Sequence, residues 1–491
     1  MISLNRNSDL CVVGAGLVGS LLSIYLAKRG FHVDLFERRP DMRKEKVTAG
    51  RSINLAVSTR GLQALRKVGL EAEILRQAIP MRGRMIHAKD GTLNFQPYGK
   101  DDSEYINSIS RATLNKLLMS RAEETKLVDI YFNQKATGMD FDKRELYLED
   151  ATTAQFTTVA TTMVMSADGS SSAVRDDMLK LPGYKCSQEE LDYAYKELVI
   201  PPGEGGAFSM EKNALHIWPR GTYMLIALPN FDGSYTCTLF LPFEGTPSFA
   251  SLKTPEDVLR FFNEEFSDAV PLIADLTETF FANPTGHMVT VKCDPWHVEE
   301  KALLLGDAAH AIVPFFGQGM NCGFEDLTVL SDCMDLHVQQ GGSLYINRRN
   351  VEPHHASRRP VEGSTAWNKI FGEFFNQRKE NTDAIADMAV ENFIEMRDKV
   401  ADAKFQLEKA VEKILQRQFP KQYVSRYSLV TFSTVPYSLA KRAGVATDEI
   451  LQELCARIDA AEQVDLKKAQ KLIEQKLTPM LQDHQEELPV R

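Results

Sequence analysis

Three glycines near the start stand in the spacing Gly14-x-Gly16-x-x-Gly19, and an acid, Glu37, follows about twenty residues on. Each position has a chemical use. Gly14 permits a tight turn, Gly16 lets the backbone approach a pyrophosphate, and Gly19 lets a helix pack closely on a strand. The amides that open such a helix carry a partial positive charge suited to phosphate. Glu37 can accept hydrogen bonds from a ribose hydroxyl, and an acid rather than a base there disfavours a 2′-phosphate. Arg38 and Arg39 come next and could shield the phosphates.

Two further segments carry chemistry. Asp168-Gly169-Ser170-Ser171-Ser172-Ala173-Val174-Arg175 follows an apolar run, Thr161 to Ala167. On its own it reads equally well as an Asx turn and helix cap. Gly306-Asp307-Ala308-Ala309-His310 follows Ala302 to Leu305 and precedes Pro314-Phe315-Phe316-Gly317-Gln318-Gly319-Met320-Asn321. Its glycines would let a ligand approach the backbone closely, and a helix opening there would present its positive end. His310 reads as a packing or hydrogen-bonding residue rather than a catalyst.

The elements that must position these groups can be read from the apolar pattern. Leu10 to Val13 reads as a buried strand, Leu17 to Lys28 as a helix stopped by Gly30, and Phe31 to Phe36 as a second strand. Thr161 to Ala167 and Ala302 to Leu305 read as further strands. His216 to Arg220 and Ala227 to Asn230 alternate as a hairpin, with Thr236 to Phe240 beyond a turn at Asp232-Gly233. Trp367 to Gln418 reads as helices, and Ala446 to Leu481 as one or two amphipathic helices.

Composition narrows the class. The 491 residues exceed one ordinary domain, and 43% hydrophobic with 25% charged residues is globular. A net charge of -10 argues against nucleic acid as a partner. The seven cysteines form no C-x-x-C pair, so neither a zinc site nor a disulfide framework is expected, and no metal is assigned. No run reaches the roughly 18 apolar residues of a membrane span. Neither a signal peptide nor a C-terminal anchor is visible, so a soluble, cytoplasmic protein is expected.

The three glycine-rich segments, in this order, resemble those of the single-component FAD-dependent aromatic hydroxylases, and more narrowly the kynurenine 3-monooxygenases. Gly50 to Ala56, Ser110 to Asn115 and Pro314 to Asn321 are similar to flavin-side segments of that family. The likeness runs from Leu10 to about Ala440, apart from a break at 341–366. It implies an α/β fold: a Rossmann-type FAD-binding domain, an antiparallel-sheet substrate domain and a C-terminal helical region. The implied division is 1–180 for the first part of the FAD-binding domain, with a substrate-contacting insertion at about 75–105. Residues 181–295 form mainly the substrate sheet, 296–340 the last part of the FAD-binding domain, and 367–491 the helical region. Residues 341–366, with Arg348, Arg349, Arg358, Arg359 and the pair His354-His355, read as a surface insertion.

Motif and resemblance together assign to the flavin Gly14, Gly16, Val18, Gly19, Phe36, Glu37, Arg38, Arg39, Ala56, Arg111, Ala136, Asp168, Asp307, Gly319, Met320 and Asn321. The resemblance assigns to the substrate Arg84 and Tyr98, as partners of a carboxylate, with Asn392, Glu395, Met396, Tyr427, Phe315 and Phe316. Helical spacing sets Asn392, Glu395 and Met396 on one face. The implied reaction is NADPH-dependent hydroxylation of L-kynurenine to 3-hydroxykynurenine through a flavin C4a-hydroperoxide, with FAD held tightly, NADPH visiting transiently and O₂ consumed. The chemistry is borne by the flavin, so no catalytic side chain is assigned. A hydroxylase of another aromatic acid and a non-catalytic flavin-binding interaction protein are the alternatives. A halogenase is disfavoured because no W-x-W-x-I-P segment occurs. The oligomeric state is left open, a dimer being one arrangement.

Overall fold

A computed structural model describes residues 9–44, 54–99, 104–344, 362–395, 402–420 and 422–489. Strand Leu10–Val13 is buried along its whole length. It sits inside a six-stranded sheet ordered His297–Val298, Ala302–Leu304, Val164–Ser166, Leu10–Val13, Val33–Phe36 and Val128–Tyr131. All its pairings are parallel except that of His297–Val298 with Ala302–Leu304. Parallel strands covered on both faces read as short continuous apolar runs, and Leu-Cys-Val-Val and Ala-Leu-Leu do so. Helix Leu17–Ala27 is buried on nearly every side. Its serines survive there because Ser20 and Ser23 donate to the carbonyls of Ala15 and Gly19.

The strands are shorter than the apolar runs that announce them. The second begins at Val33 rather than Phe31, and the third covers Val164–Ser166 rather than Thr161 to Ala167. Phe31 is still buried, but it packs against Trp367 instead of joining the ladder.

The second large layer is a seven-stranded sheet. Its order is Gly286–Asp294, Lys185–Ile200, Tyr235–Pro242, Met224–Pro229, Ala214–Pro219, Gly83–His87 and Leu93–Pro97. The pairing of Ala214–Pro219 with Gly83–His87 is parallel, and the others are antiparallel. The expected hairpin is therefore three strands of a meander. Its second turn lies at Asp232-Gly233, where Asn230 donates its amide to Ser234 and Gly233 takes φ +89.

Side chains alternate across this sheet. Trp218, Leu225, Ala227, Cys237 and Leu239 pack beneath helices Pro255–Glu265 and Leu276–Ala282, against Phe262 and Phe266. The intervening Ile217, Met224, Ile226, Thr238 and Phe240 face an internal cavity.

Helices Glu362–Ile394, Ala403–Gln418, Arg426–Thr431, Tyr437–Cys455 and Leu466–Lys476 close the molecule around a separate apolar core. The expected helix from Ala446 begins instead at Tyr437, behind Pro436. The polar Lys441-Arg442 and Gly444 break the apolar rhythm of its first turns, yet Leu439, Ala440 and Ala443 are buried. Most of the expected insertion at 341–366 lies outside the described residues, and helix Glu362–Ile394 already begins within it. Among the described residues, no helix is long and apolar enough to cross a membrane.

The helical region is tied to the flavin side by buried ion pairs. Arg378 bonds Glu325 at 2.6 Å and Asp326 at 2.9 Å, and Arg60 bonds the other oxygen of Glu325 at 2.5 Å. Arg60 also donates to the carbonyl of Val435. Removing one member strands a buried carboxylate, which typically costs about 3–5 kcal/mol. Arg378→Ala is expected to lower the urea midpoint of unfolding accordingly. Arg442→Ala, which breaks only an exposed pair with Glu380, should leave it nearly unchanged.

Candidate active site

The glycine-rich loop holds its shape through contacts that only glycine allows. Gly14 takes φ +93, and a Cβ there would lie 2.5 Å from the carbonyl oxygen of Ala167. A Cβ on Gly19 would lie 1.9 Å from the carbonyl oxygen of Gly14. Gly16 differs: a Cβ there meets no protein atom within 4 Å, because the residue borders the cavity. It is also the N-cap of helix Leu17–Ala27 and offers no side-chain cap, so amides of the first turn are left for a ligand.

Glu37 is buried and braces this loop. Its Oε2 accepts the amide of Ala15 at 2.9 Å, and its Oε1 accepts the amide and Nε of Arg39. Arg38 is exposed. Phe36 is fully buried and stacks on Tyr131, and Ala136 lies on strand Gln134–Asp140 opposite Leu148. Neither Phe36 nor Ala136 lines the main cavity.

That cavity opens to solvent, and the space within it, its open mouth included, is about 1750 Å³. At the loop end it is lined by Gly16, Leu17, Val18, Ala56, Arg111 and Asp307. Asp307 is exposed to it, and no protein hydrogen bond to its carboxylate is found among the described residues. Asp168 is turned away: its carboxylate accepts Ser166 Oγ at 2.7 Å and the amide of Ala173 at 3.0 Å. Burial pushes its pKa up. Backbone of Ala167 and Gly169 lines the cavity in its place. Arg175 is buried and donates to the carbonyls of Ser170 and Ala308, joining the two motif segments.

Helix Gly319–Gln339 points its N-terminus at the cavity, with Gly317, Gly319 and Met320 on the wall. Asn321 fastens this end. Its Nδ2 donates to the carbonyls of Ala56 and Gly317, and its Oδ1 accepts the amide of Ser58. Asp326, one helix face below, accepts the amide of Gly306 at 3.1 Å and so fixes the residue before Asp307.

His310 Nε2 lies 2.6 Å from Asp326. Burial favours its neutral form, but the Asp326 carboxylate outweighs this and pushes the pKa up to about 10. His310, Cys322 and Asp326 come together as metal ligands would. The Arg378 guanidinium, 3.2 Å from Cys322 Sγ and bonded to Asp326, already supplies the cation.

The far end of the cavity is mostly apolar and carries one charged side chain among the described residues. Ile217, Met224, Ile226, Phe240, Phe315 and Phe316 form the walls. Arg84 enters from strand Gly83–His87. Its guanidinium lies 5.3 Å from the ring centre of Tyr98 and 4.9 Å from that of Tyr427, and the two rings stack at 5.5 Å. No carboxylate lies within salt-bridge distance of Arg84 among the described residues. The Tyr98 hydroxyl is buried, which pushes its pKa well up, and the Arg84 guanidinium beside it opposes that rise.

Of the residues assigned to the substrate, Arg84, Tyr98, Tyr427, Phe315 and Phe316 meet in this cavity. Asn392 stands behind its wall, where Nδ2 donates to the carbonyl of Phe315 at 2.9 Å. Glu395 lies beyond the end of helix Glu362–Ile394, 3.8 Å from Lys409, and does not line the cavity. Met396, and Gly50 to Ile53 on the flavin side, lie outside the described residues. Motif reading missed the sheet wall of Ile217, Met224, Ile226 and Phe240. The period-two alternation of those strands carried the signal.

A family model described as "FAD binding domain" matches residues 7–204 and 255–360. The chain is 56% identical over 479 residues to a protein of Myxococcus xanthus named kynurenine 3-monooxygenase, covering 98% of this chain and 97% of that one. It is 44% identical to a protein of the same name from Dictyostelium discoideum, covering 96% and 98%. Among solved structures, p-nitrophenol 4-monooxygenase from Pseudomonas putida superposes with a TM-score of 0.58 at 17% identity, covering 94% of this chain and 97% of that one. The tetrameric form of 2-methyl-3-hydroxypyridine-5-carboxylic acid oxygenase gives 0.60 at 20%, covering 83% and 96%. At such identities these two structures share the fold.

Gly16→Ala should fold normally, yet purify with much less flavin, read as flavin absorbance per protein. Gly19→Ala, whose Cβ collides with backbone, should fail to give soluble protein. Full flavin content in Gly16→Ala would show that the pyrophosphate does not rest there.

Proposed function

The chain belongs to the kynurenine 3-monooxygenase family of FAD-binding proteins, and we propose that it hydroxylates L-kynurenine to 3-hydroxykynurenine with NADPH and O₂. The observation that carries the substrate assignment is Arg84: a guanidinium held between two tyrosine rings, at the end of an apolar slot, with no carboxylate of the described residues beside it. Such a group favours a ligand that brings its own carboxylate, which a guanidinium meets with two parallel hydrogen bonds. Kynurenine carries an amino-acid carboxylate at one end and a flat aniline ring at the other, and the slot offers a partner for each.

The residues fit FAD. The uncapped amides at Gly16 and Leu17 face the place of the pyrophosphate, Asp307 has a carboxylate open to ribityl hydroxyls, and the glycines at 317 and 319 leave room for a ring. When bound, FAD supplies the redox chemistry: it accepts hydride from NADPH and activates O₂ for transfer to the ring. The positive end of helix Gly319–Gln339 stabilises negative charge on the reduced ring.

The remaining work of the protein is to bind, orient and keep dry. Arg84 and Tyr98 fix the carboxylate and thereby the reach of the ring. Phe240 and Phe315, 5.0 Å apart, with Ile217 and Ile226, exclude water from the reacting edge. Asn392 holds the Phe315 carbonyl and so acts as a positioning residue for that wall. The aniline nitrogen already activates its ortho carbon, so no strong protein base is needed, and none of the described residues supplies one at the apolar end. The proposal sets the protein in the cytoplasm, where a reducing compartment accommodates seven unbridged cysteines.

Arg84→Ala should raise KM for kynurenine roughly thirty-fold or more, corresponding to about 2 kcal/mol, and leave FAD content unchanged. Tyr98→Phe should raise it by less. A KM unchanged in Arg84→Ala would remove the carboxylate assignment.

A further inference from the structure

Two cysteines far apart in sequence meet where the seven-stranded sheet joins the flavin-binding sheet. Cys186 lies at the start of strand Lys185–Ile200, which leaves the segment carrying Asp168 and Arg175. Cys293 lies near the end of strand Gly286–Asp294, which returns the chain toward Asp307. The antiparallel register sets the two residues directly opposite each other. Opposed residues of such a pair have Cα atoms about 4.5–5.5 Å apart, within the range a disulfide spans. The sulfurs are 3.0 Å apart. Their other polar neighbours are more distant: the carbonyl of Ser187 at 3.6 Å from Cys186 and that of Ala308 at 3.9 Å from Cys293.

The two thiols are not equivalent. Cys186 is half-buried and open to small solutes, whereas Cys293 is 1% exposed. The hydrogen bond from Cys293 lowers the Cys186 pKa against the opposing effect of burial; Arg175 and Lys379 add positive charge, and Asp176 opposes them. The same bond, with burial, raises that of Cys293. An accessible thiolate backed by a protonated thiol is the arrangement of an attacking and a resolving cysteine.

We propose that Cys186 and Cys293 form a peroxide-reactive dithiol that closes to a reversible disulfide across the neck between the two sheets. The Cys186 thiolate attacks one oxygen of H₂O₂. The O–O bond breaks, Cys186 becomes a sulfenic acid, and the departing hydroxide takes a proton to leave as water. The Cys293 sulfur then attacks the Cys186 sulfur. The S–S bond forms, the S–OH bond breaks, and the hydroxide leaves as a second water with the proton of Cys293. Two thiols are oxidised by two electrons and one peroxide is reduced to two waters. The closed bond would join the strand leaving the Asp168 segment to the strand that leads to Asp307. A flavin that activates O₂ without transferring it releases H₂O₂ from the cavity that Asp307 lines, one residue from the Ala308 carbonyl against which Cys293 packs; that source rests on the proposed function, whereas the reactivity of the pair does not.

The test uses FAD-loaded protein and added H₂O₂, so it is independent of any hydroxylation. After brief exposure and alkylation, free thiols should fall by two from the seven of the untreated chain. Non-reducing peptide mapping should show Cys186 linked to Cys293, and dithiothreitol should restore both thiols. Cys186→Ser should keep all its thiols under the same exposure, and Cys293→Ser should leave a Cys186 sulfenic acid that dimedone captures. Absence of the linked peptide in the unmodified chain, or advance of Cys186 to a sulfinic acid while Cys293 stays reduced, would overturn the proposal. The map of the unmodified chain decides the matter even where the buried Cys293→Ser variant does not fold.

Discussion

The structure depends on one buried carboxylate. Asp326 is fully enclosed and meets three donors: His310 at 2.6 Å, Arg378 at 2.9 Å and the amide of Gly306 at 3.1 Å. A buried charge is tolerated only when its lone pairs are filled this completely. These donors come from two parts of the chain. Gly306 precedes the aspartate that faces the cavity, His310 ends the same short helix, and Arg378 belongs to the long C-terminal helix. Asp326 itself stands on the helix whose first turn walls the cavity. One anion therefore sets the spacing of the Asp307 segment, the glycine-rich turn and the helical region that brings Tyr427. Glu325, beside it, extends the same grip to Arg60 and the helix Thr59–Lys67 that follows Ala56.

The second constraint is geometric. Successive side chains of a strand point to opposite faces, so the seven-stranded sheet builds a core and a binding wall from the same residues. Trp218 and Leu225 bury under helices while Ile217 and Ile226 wait for a ligand. The wall is rigid because its reverse face is a packed core. Arg84 enters from a strand paired in parallel with that sheet, which places a single charge in an otherwise apolar slot.

Local chemistry made much of the flavin side legible in sequence. Gly14 and Gly19 have distinct steric reasons to be glycine, Gly16 leaves open space on the cavity side, and Asp307 and the turn at 317–319 form one contiguous segment. Contacts between distant segments were not legible. Asp168 lies in a recognisable motif, yet it caps its own turn through Ser166 and Ala173, as the Asx-turn reading allowed. Glu395 shares a helical spacing with Asn392, but its carboxylate lies 3.8 Å from Lys409 rather than in the cavity. The pairing of Cys186 with Cys293 follows from strand register, which cysteine spacing along the chain does not encode. The start of the helix at Tyr437 was hidden because its burial comes from tertiary contacts rather than a clean apolar period.

The central claim is that the cavity binds FAD beside an aromatic amino acid held by Arg84, for transfer of oxygen to its ring. NADPH consumption by FAD-loaded protein, with and without L-kynurenine and with products separated by chromatography, tests it most directly. The account requires kynurenine to accelerate NADPH consumption and 3-hydroxykynurenine to appear in proportion. Consumption unchanged by kynurenine, with no hydroxylated product, would contradict it.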